Sequence, residues 1–206
     1  MQHSRLILLP LLGLALATLA CNALASRFGE APSPAAPDSA PTVSSPAGQT
    51  PVKIEGGPTV GTPRETRVAI SENTPILEQL AREEYDQEAL AVVGRTFTYT
   101  VALTQTAPLL WVFGWCATSP ELVEQNLEDM TLEFSVNGMP VDLGQFHVVE
   151  GQSGELPCRT YVAVLYDWPS GETQLEAKVT FDALVNDGLS DYPPGSQSFI
   201  YHVTVP

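Results

Sequence analysis

Between residues 96 and 205 the chain falls into seven short runs of β-branched, aromatic and aliphatic residues, each bounded by Gly, Pro, Asn or Asp. That spacing limits the available folds more than any other feature. The runs cover 96–103, 109–117, 131–136, 141–149, 159–166, 173–181 and 198–205. Their connections are short and no βαβ alternation is present, which points to an antiparallel sandwich or a partly open barrel, the sandwich being preferred. Asn137-Gly138 sits between apolar alternations and predicts a tight hairpin, with Pro140 blurring where the second strand begins, and Pro169-Ser170-Gly171 predicts another turn.

Two helices are expected beside the strands. Thr74-Pro75 provides an N-cap and a proline at the first helical position, followed by Ile76, Leu77, Leu80, Ala81, Ala89 and Leu90 at helical spacing, with Glu78 and Arg82 as an i,i+4 pair. A shorter helix is expected after Ser119-Pro120, with Leu122, Val123 and Leu127 facing inward. The fold class read from the residues is therefore mainly β, with one N-terminal and one short inserted helix.

Residues 66–206 have the length and apolar content of one domain with one core. They carry 20 Asp plus Glu against 5 Arg plus Lys, so the net charge of -15 resides entirely here. Such a balance disfavours nucleic acid or an anionic lipid surface as a partner through a basic footprint. It is compatible with simple solubility, with a basic partner, or with a divalent cation.

The N-terminal part has a different composition. Arg5 precedes an apolar run from Leu6 to Ala20, long enough for an export signal and short for a membrane span. Residues 26–65 are then dominated by Pro, Ala, Ser, Thr and Gly, with Pro32, Pro34, Pro37, Pro41, Pro46, Pro51, Pro58 and Pro63. This segment is expected to be a disordered stalk, extending by about 3.1 Å per residue where polyproline-like. A disordered leader with no spacing role has the same composition. The expected organisation is an export signal over 1–25, a stalk over 26–65 and a β-sandwich domain over 66–206.

Thr18-Leu19-Ala20-Cys21 resembles the lipobox of bacterial lipoproteins. The resemblance implies acylation of Cys21 and a chain anchored at the outer face of the cytoplasmic membrane or cell surface. Ala23-Leu24-Ala25 offers an alternative, an ordinary signal-peptidase site that would discard Cys21 and release the protein. At the other end, Trp168-Pro169-Ser170-Gly171, the alternating Leu175, Ala177, Val179 and Phe181, and the run from Phe199 to Val205 resemble bacterial extracellular immunoglobulin-like modules. That resemblance implies an immunoglobulin-like sandwich.

Export leaves Cys116 and Cys158 in a compartment where thiols can be oxidised, and a bridge between them is expected, the alternative being two buried free thiols. In the strand over 109–117, Trp111, Phe113 and Trp115 share one face while Leu110, Val112 and Cys116 share the other. Either both faces are core, or the aromatic row is an exposed platform for a ligand such as a glycan. Asp182, Asn186, Asp187 and Asp191 surround a turn at Gly188 and offer oxygen ligands for calcium, although Asn-Asp-Gly is also an ordinary turn. No other cofactor is indicated. His147 and His202 stand alone on predicted strands, and no nucleophile or metalloprotease motif surrounds them. The favoured function is a tethered binding or interaction module contacting an extracellular protein or glycan. A structural envelope domain and a hydrolase using clustered carboxylates are the alternatives.

Overall fold

The computed structural model describes residues 50–104 and 106–206. Cys21, the export signal and most of the expected stalk lie outside the described residues. The described strands are β1 (Val52–Lys53), β2 (Thr59–Val60), β3 (Thr96–Ala102), β4 (Leu109–Cys116), β5 (Met130–Val136), β6 (Met139–Val141), β7 (His147–Ser153), β8 (Leu156–Tyr166), β9 (Gly171–Phe181), β10 (Val185–Asn186), β11 (Asp191–Tyr192) and β12 (Gly195–Val205). The helices are α1 (Pro63–Ser71), α2 (Gln87–Leu90) and α3 (Pro120–Glu128). None of them is long and apolar enough to cross a membrane.

The mainly β expectation holds, with antiparallel pairing predominant. In one sheet β8 is flanked by β4 on one side and by β2 and β7 on the other, with β1 beyond β2. The second sheet has the order β3-β12-β9-β5-β6, and β10 pairs with β11 as a separate small hairpin. The inner faces of the two sheets share one core, in which Trp111 of β4 meets Phe134 of β5 edge-on at 5.1 Å and Phe113 meets Phe199 of β12 at 5.9 Å. One pairing departs from the antiparallel expectation. The outer strand β3 runs parallel to β12, from Thr96 opposite Ser198 to Ala102 opposite Thr204. Periodicity reports which face of a strand is buried and carries nothing about the direction of a partner about a hundred residues away.

Alternation fixes the inward faces. On β9, Thr173, Leu175, Ala177, Val179 and Phe181 are buried while the residues between them are half-buried. The β5–β6 hairpin closes through Asn137 and Gly138, with Val136 opposite Met139. Both turn residues have positive φ, 50° and 75°, as a two-residue turn that follows the strand twist requires. The Asn137 side chain also donates to Gly56 O and accepts from Gln174 N. The expected strand over 141–149 is instead two: β6 ends at Val141, Asp142 caps a 3-10 turn over Leu143–Gln145, and β7 begins at His147.

The expected domain start at residue 66 falls inside α1. Thr62 and Glu65 form a reciprocal capping box, with Pro63 at the start of the helix, and Ala69 packs under it against Leu110, Val162 and Val164. Before it, Val60 is fully buried and Ile54 is 5% exposed. The prolines that made 50–65 resemble a stalk punctuate short strands and start a helix instead.

The expected helix from Thr74 is absent. Leu77–Leu80 form a single 3-10 turn, and only Gln87–Leu90 are α-helical. Between them the chain is extended along β3 and uses its polar groups there: Arg82 N–H donates to Thr100 O, Glu83 accepts from the backbone N–H and hydroxyl of Thr100, and the Tyr85 hydroxyl donates to Thr98 O and accepts from Thr98 N–H. Those bonds outweigh a modest helix propensity. The second helix matches expectation. Ser119 accepts from Leu122 N, and α3 buries Val123 and Asn126 with Leu122 and Leu127 half-buried at the core margin.

Candidate functional site

Strand β4 organises the region of interest. Covered outwards by α1 at Leu110 and inwards by the second sheet, it has two apolar faces for structural reasons. Trp111, Phe113 and Trp115 are 0%, 9% and 7% exposed, so the aromatic row is core and the exposed-platform expectation is corrected. Stacking a sugar along the whole row would require the sheets to separate, since Trp111 is fully buried. Cys116 lies directly opposite Cys158 on β8, with Cα atoms 4.0 Å apart, and the two are joined by a disulfide.

The four residues considered for calcium do not converge on one point. Asp182 caps the end of β9 and accepts from the Thr131 hydroxyl. The other three build the β10–β11 hairpin. Asp187, only 6% exposed, accepts from Leu189 N and Ser190 N with one oxygen and from the Tyr192 hydroxyl with the other. Asn186 accepts from Gly188 N and donates to Asp191. Among the described residues no group of three or more His, Cys, Asp or Glu is arranged to hold a metal ion.

These bonds build a rigid clamp instead. Thr118 N–H donates to Asp187 O, the Asn126 amide on α3 donates to Asn186 O, and Gly188, at φ 90°, lies so close that a Cβ would stand 1.9 Å from the Thr118 hydroxyl. The turn therefore needs glycine for both its backbone angle and its proximity. The clamp's turn presents Leu189, and the residue before β10 is Leu184; they are 67% and 63% exposed to solvent.

Beside the clamp, the two sheets part along the outer side of β4 and leave a cleft of about 260 Å³. One wall is β4 from Val112 to Cys116, and the other includes Phe199 and Tyr201 of β12 with Tyr99 of β3. Leu189 and Glu78 are also on its lining. Burial raises the Glu78 carboxyl above its ordinary value, partly opposed by the neighbouring Tyr99 hydroxyl. Tyr99 and Tyr201 stack at 4.6 Å, and burial raises both phenols, so they remain neutral and act as apolar walls with hydroxyl tips. The Trp115 indole N–H, on the same lining, has no acceptor among the described residues. Sequence patterning marked β4 but gave no sign of this cleft, which lies where no further described strand pairs with β4.

No family model matches the chain, and no curated protein matches it. Among solved structures it is similar to PbICP-C in complex with falcipain-2, at 11% identity over 54% of this chain and 89% of that one, with a TM-score of 0.32. It is also similar to the cysteine protease inhibitor EhICP2 from Entamoeba histolytica, at 8% identity over 62% of this chain and 93% of that one, TM-score 0.24. A third is the Plasmodium falciparum protein Pf12p, at 8% identity over 53% and 42%, TM-score 0.29. At TM-scores of this size the likenesses carry no functional argument.

Proposed function

We propose that this chain is an exported interaction module whose immunoglobulin-like sandwich binds a protein ligand at the cleft beside β4. The observation that carries this reading is the conjunction of an aromatic cleft with the exposed Leu189 on its lining, held in the hydrogen-bonded β10–β11 turn, and a second exposed leucine, Leu184, just before β10. Large apolar side chains held on a preorganised turn are characteristic of protein-recognition surfaces, because little ordering entropy remains to be lost on binding. The apolar run Leu6–Ala20 and Cys21 support export and an acyl anchor at the outer face of the membrane, with the proline-rich residues up to about 50 as the tether. A glycan ligand loses its motivating observation, since the aromatic row it needed is buried.

The test is to select a displayed random-peptide library and to screen soluble polysaccharides against the purified protein, then remeasure with Leu184→Ala/Leu189→Ala. Peptide ligands should be recovered and should bind about tenfold more weakly to the variant, the scale of losing an apolar hot spot. Polysaccharide binding, or peptide binding indifferent to the variant, would contradict the reading.

A further inference from the structure

The cleft borders a strand edge whose central backbone groups have no partner among the described residues. Ala117 N–H donates across to Pro157 O of β8, whereas Leu110 N–H and Thr118 N–H donate outward, to Pro75 O at 2.8 Å and Asp187 O at 2.8 Å. Along an antiparallel strand successive residues address opposite sides, so the even-numbered residues of β4 all face away from β8. Leu110 and Thr118 at the two ends are satisfied. Val112, Gly114 and Cys116 between them have no backbone partner among the described residues. The open stretch is about 17 Å long, at about 3.4 Å per residue.

The facing sheet ends differently. On β3 the outward groups of Thr98 and Thr100 are occupied by the Tyr85 hydroxyl, the Glu83 carboxylate and Arg82 N–H. Proteins ordinarily blunt an exposed edge in this manner. Among the described residues β4 carries no such cover: Val112 is half-buried, Gly114 has no side chain, and no charged residue or proline lies between Leu109 and Cys116. It is also stiffened at one end by the disulfide and bracketed by Ile76, which bridges Leu110 in parallel, and by the clamp. A strand added at this edge would place alternate side chains in the cleft, against Phe199 and Tyr201, and expose those between.

We propose that β4 accepts an extended, cationic segment of a partner protein as an additional strand, hydrogen-bonded to Val112, Gly114 and Cys116 with alternate apolar side chains in the cleft. The inference rests on the protein-binding reading above and specifies its mode and partner chemistry. Charge selects the occupant. With a net charge of -15 and Glu78 on the cleft lining, pairing of two copies through β4 would bring like charges together, whereas a lysine- or arginine-bearing strand is attracted. This is β-augmentation, in which main-chain bonds supply affinity and alternate pockets supply specificity.

The test uses the peptides recovered from the display selection, resynthesised with N-methyl groups on one or the other alternate set of residues, against wild type, Gly114→Pro and Glu78→Gln. The Gly114 N–H points away from β8, so proline removes an edge donor without breaking the β4–β8 ladder. Binding should weaken about tenfold with Gly114→Pro and with one methylated set but not the other, as expected for unmade backbone bonds. Selected peptides should be enriched in Lys and Arg and should weaken with Glu78→Gln, and Val112, Gly114 and Cys116 amides should become protected from exchange in the complex. The methylated peptides keep the test informative if the proline variant does not fold. Binding lost in Leu184→Ala/Leu189→Ala but indifferent to both backbone changes would overturn strand addition while leaving the cleft reading intact. An empty selection, or ligands indifferent to every variant, would overturn both, and protection of the same amides by self-association would replace the cationic partner with a second copy.

Discussion

Removing the Cys116–Cys158 bridge with a Cys116→Ala/Cys158→Ala double substitution should cost stability without changing the fold. The cysteines are 42 residues apart, and the chain-entropy relation for a loop of that length gives about 4 kcal/mol at 25 °C. Their strands remain paired without the bridge, because β4 and β8 share a register from Leu109–Leu165 to Cys116–Cys158. The effect should therefore appear in the denatured state, whose expansion raises the denaturant dependence as well. With a urea m-value of about 2 kcal/mol/M, the transition midpoint should fall by about 2 M. Urea titrations followed by tryptophan fluorescence, on oxidised wild type and the double variant, measure both quantities. A midpoint shift below about 0.5 M, with m unchanged, would refute the reasoning and mean that the unbridged denatured chain already holds these segments close.

Other consequences are equally specific. A chain starting at residue 66 loses the burial of Ile54 and Val60 and both members of the α1 capping box, Thr62 and Glu65, and should be at least about 3 kcal/mol less stable than one starting at residue 50 in the same titration. Asp187→Ala removes the acceptor of two clamp N–H groups and strands the buried Tyr192 hydroxyl, costing about 1–3 kcal/mol, with no change in stability on adding calcium to wild type. The Thr100 backbone and hydroxyl bonds hold the Glu83 carboxyl below its ordinary value. Its contribution is complete above the unfolded value and is lost as pH falls through the lower folded value, so the Thr100 amide resonance should titrate below the ordinary carboxylate range, and a Thr100 shift centred above that range would reverse the sign.

What the sequence revealed depended on whether a signal was local. The Asn137-Gly138 turn, the Ser119-Pro120 helix start and the alternation of Leu175, Ala177, Val179 and Phe181 are local, and the structure places each as its chemistry requires. The segment from Thr74 to Leu90 has helical spacing, yet Arg82, Glu83 and Tyr85 are committed to the edge of β3, a partner that local pattern does not show. The prolines of 50–65 read as disorder because composition does not distinguish a proline that stiffens a linker from Pro63, which begins a capped helix. For Trp111, Phe113 and Trp115, alternation correctly gave a shared face but not what covers it. The open backbone of β4 left no mark at all, since an edge is defined by the absence of a further strand, here among the described residues.

Amide hydrogen exchange along β4 in the unliganded protein tests the central claim most directly. Exchange should alternate: Trp111, Phe113, Trp115 and Ala117, bonded to β8, should exchange slowly, and Val112, Gly114 and Cys116 should exchange at rates near those of open loops. Uniform protection through Cys116 would show that the edge is already covered and would contradict that claim.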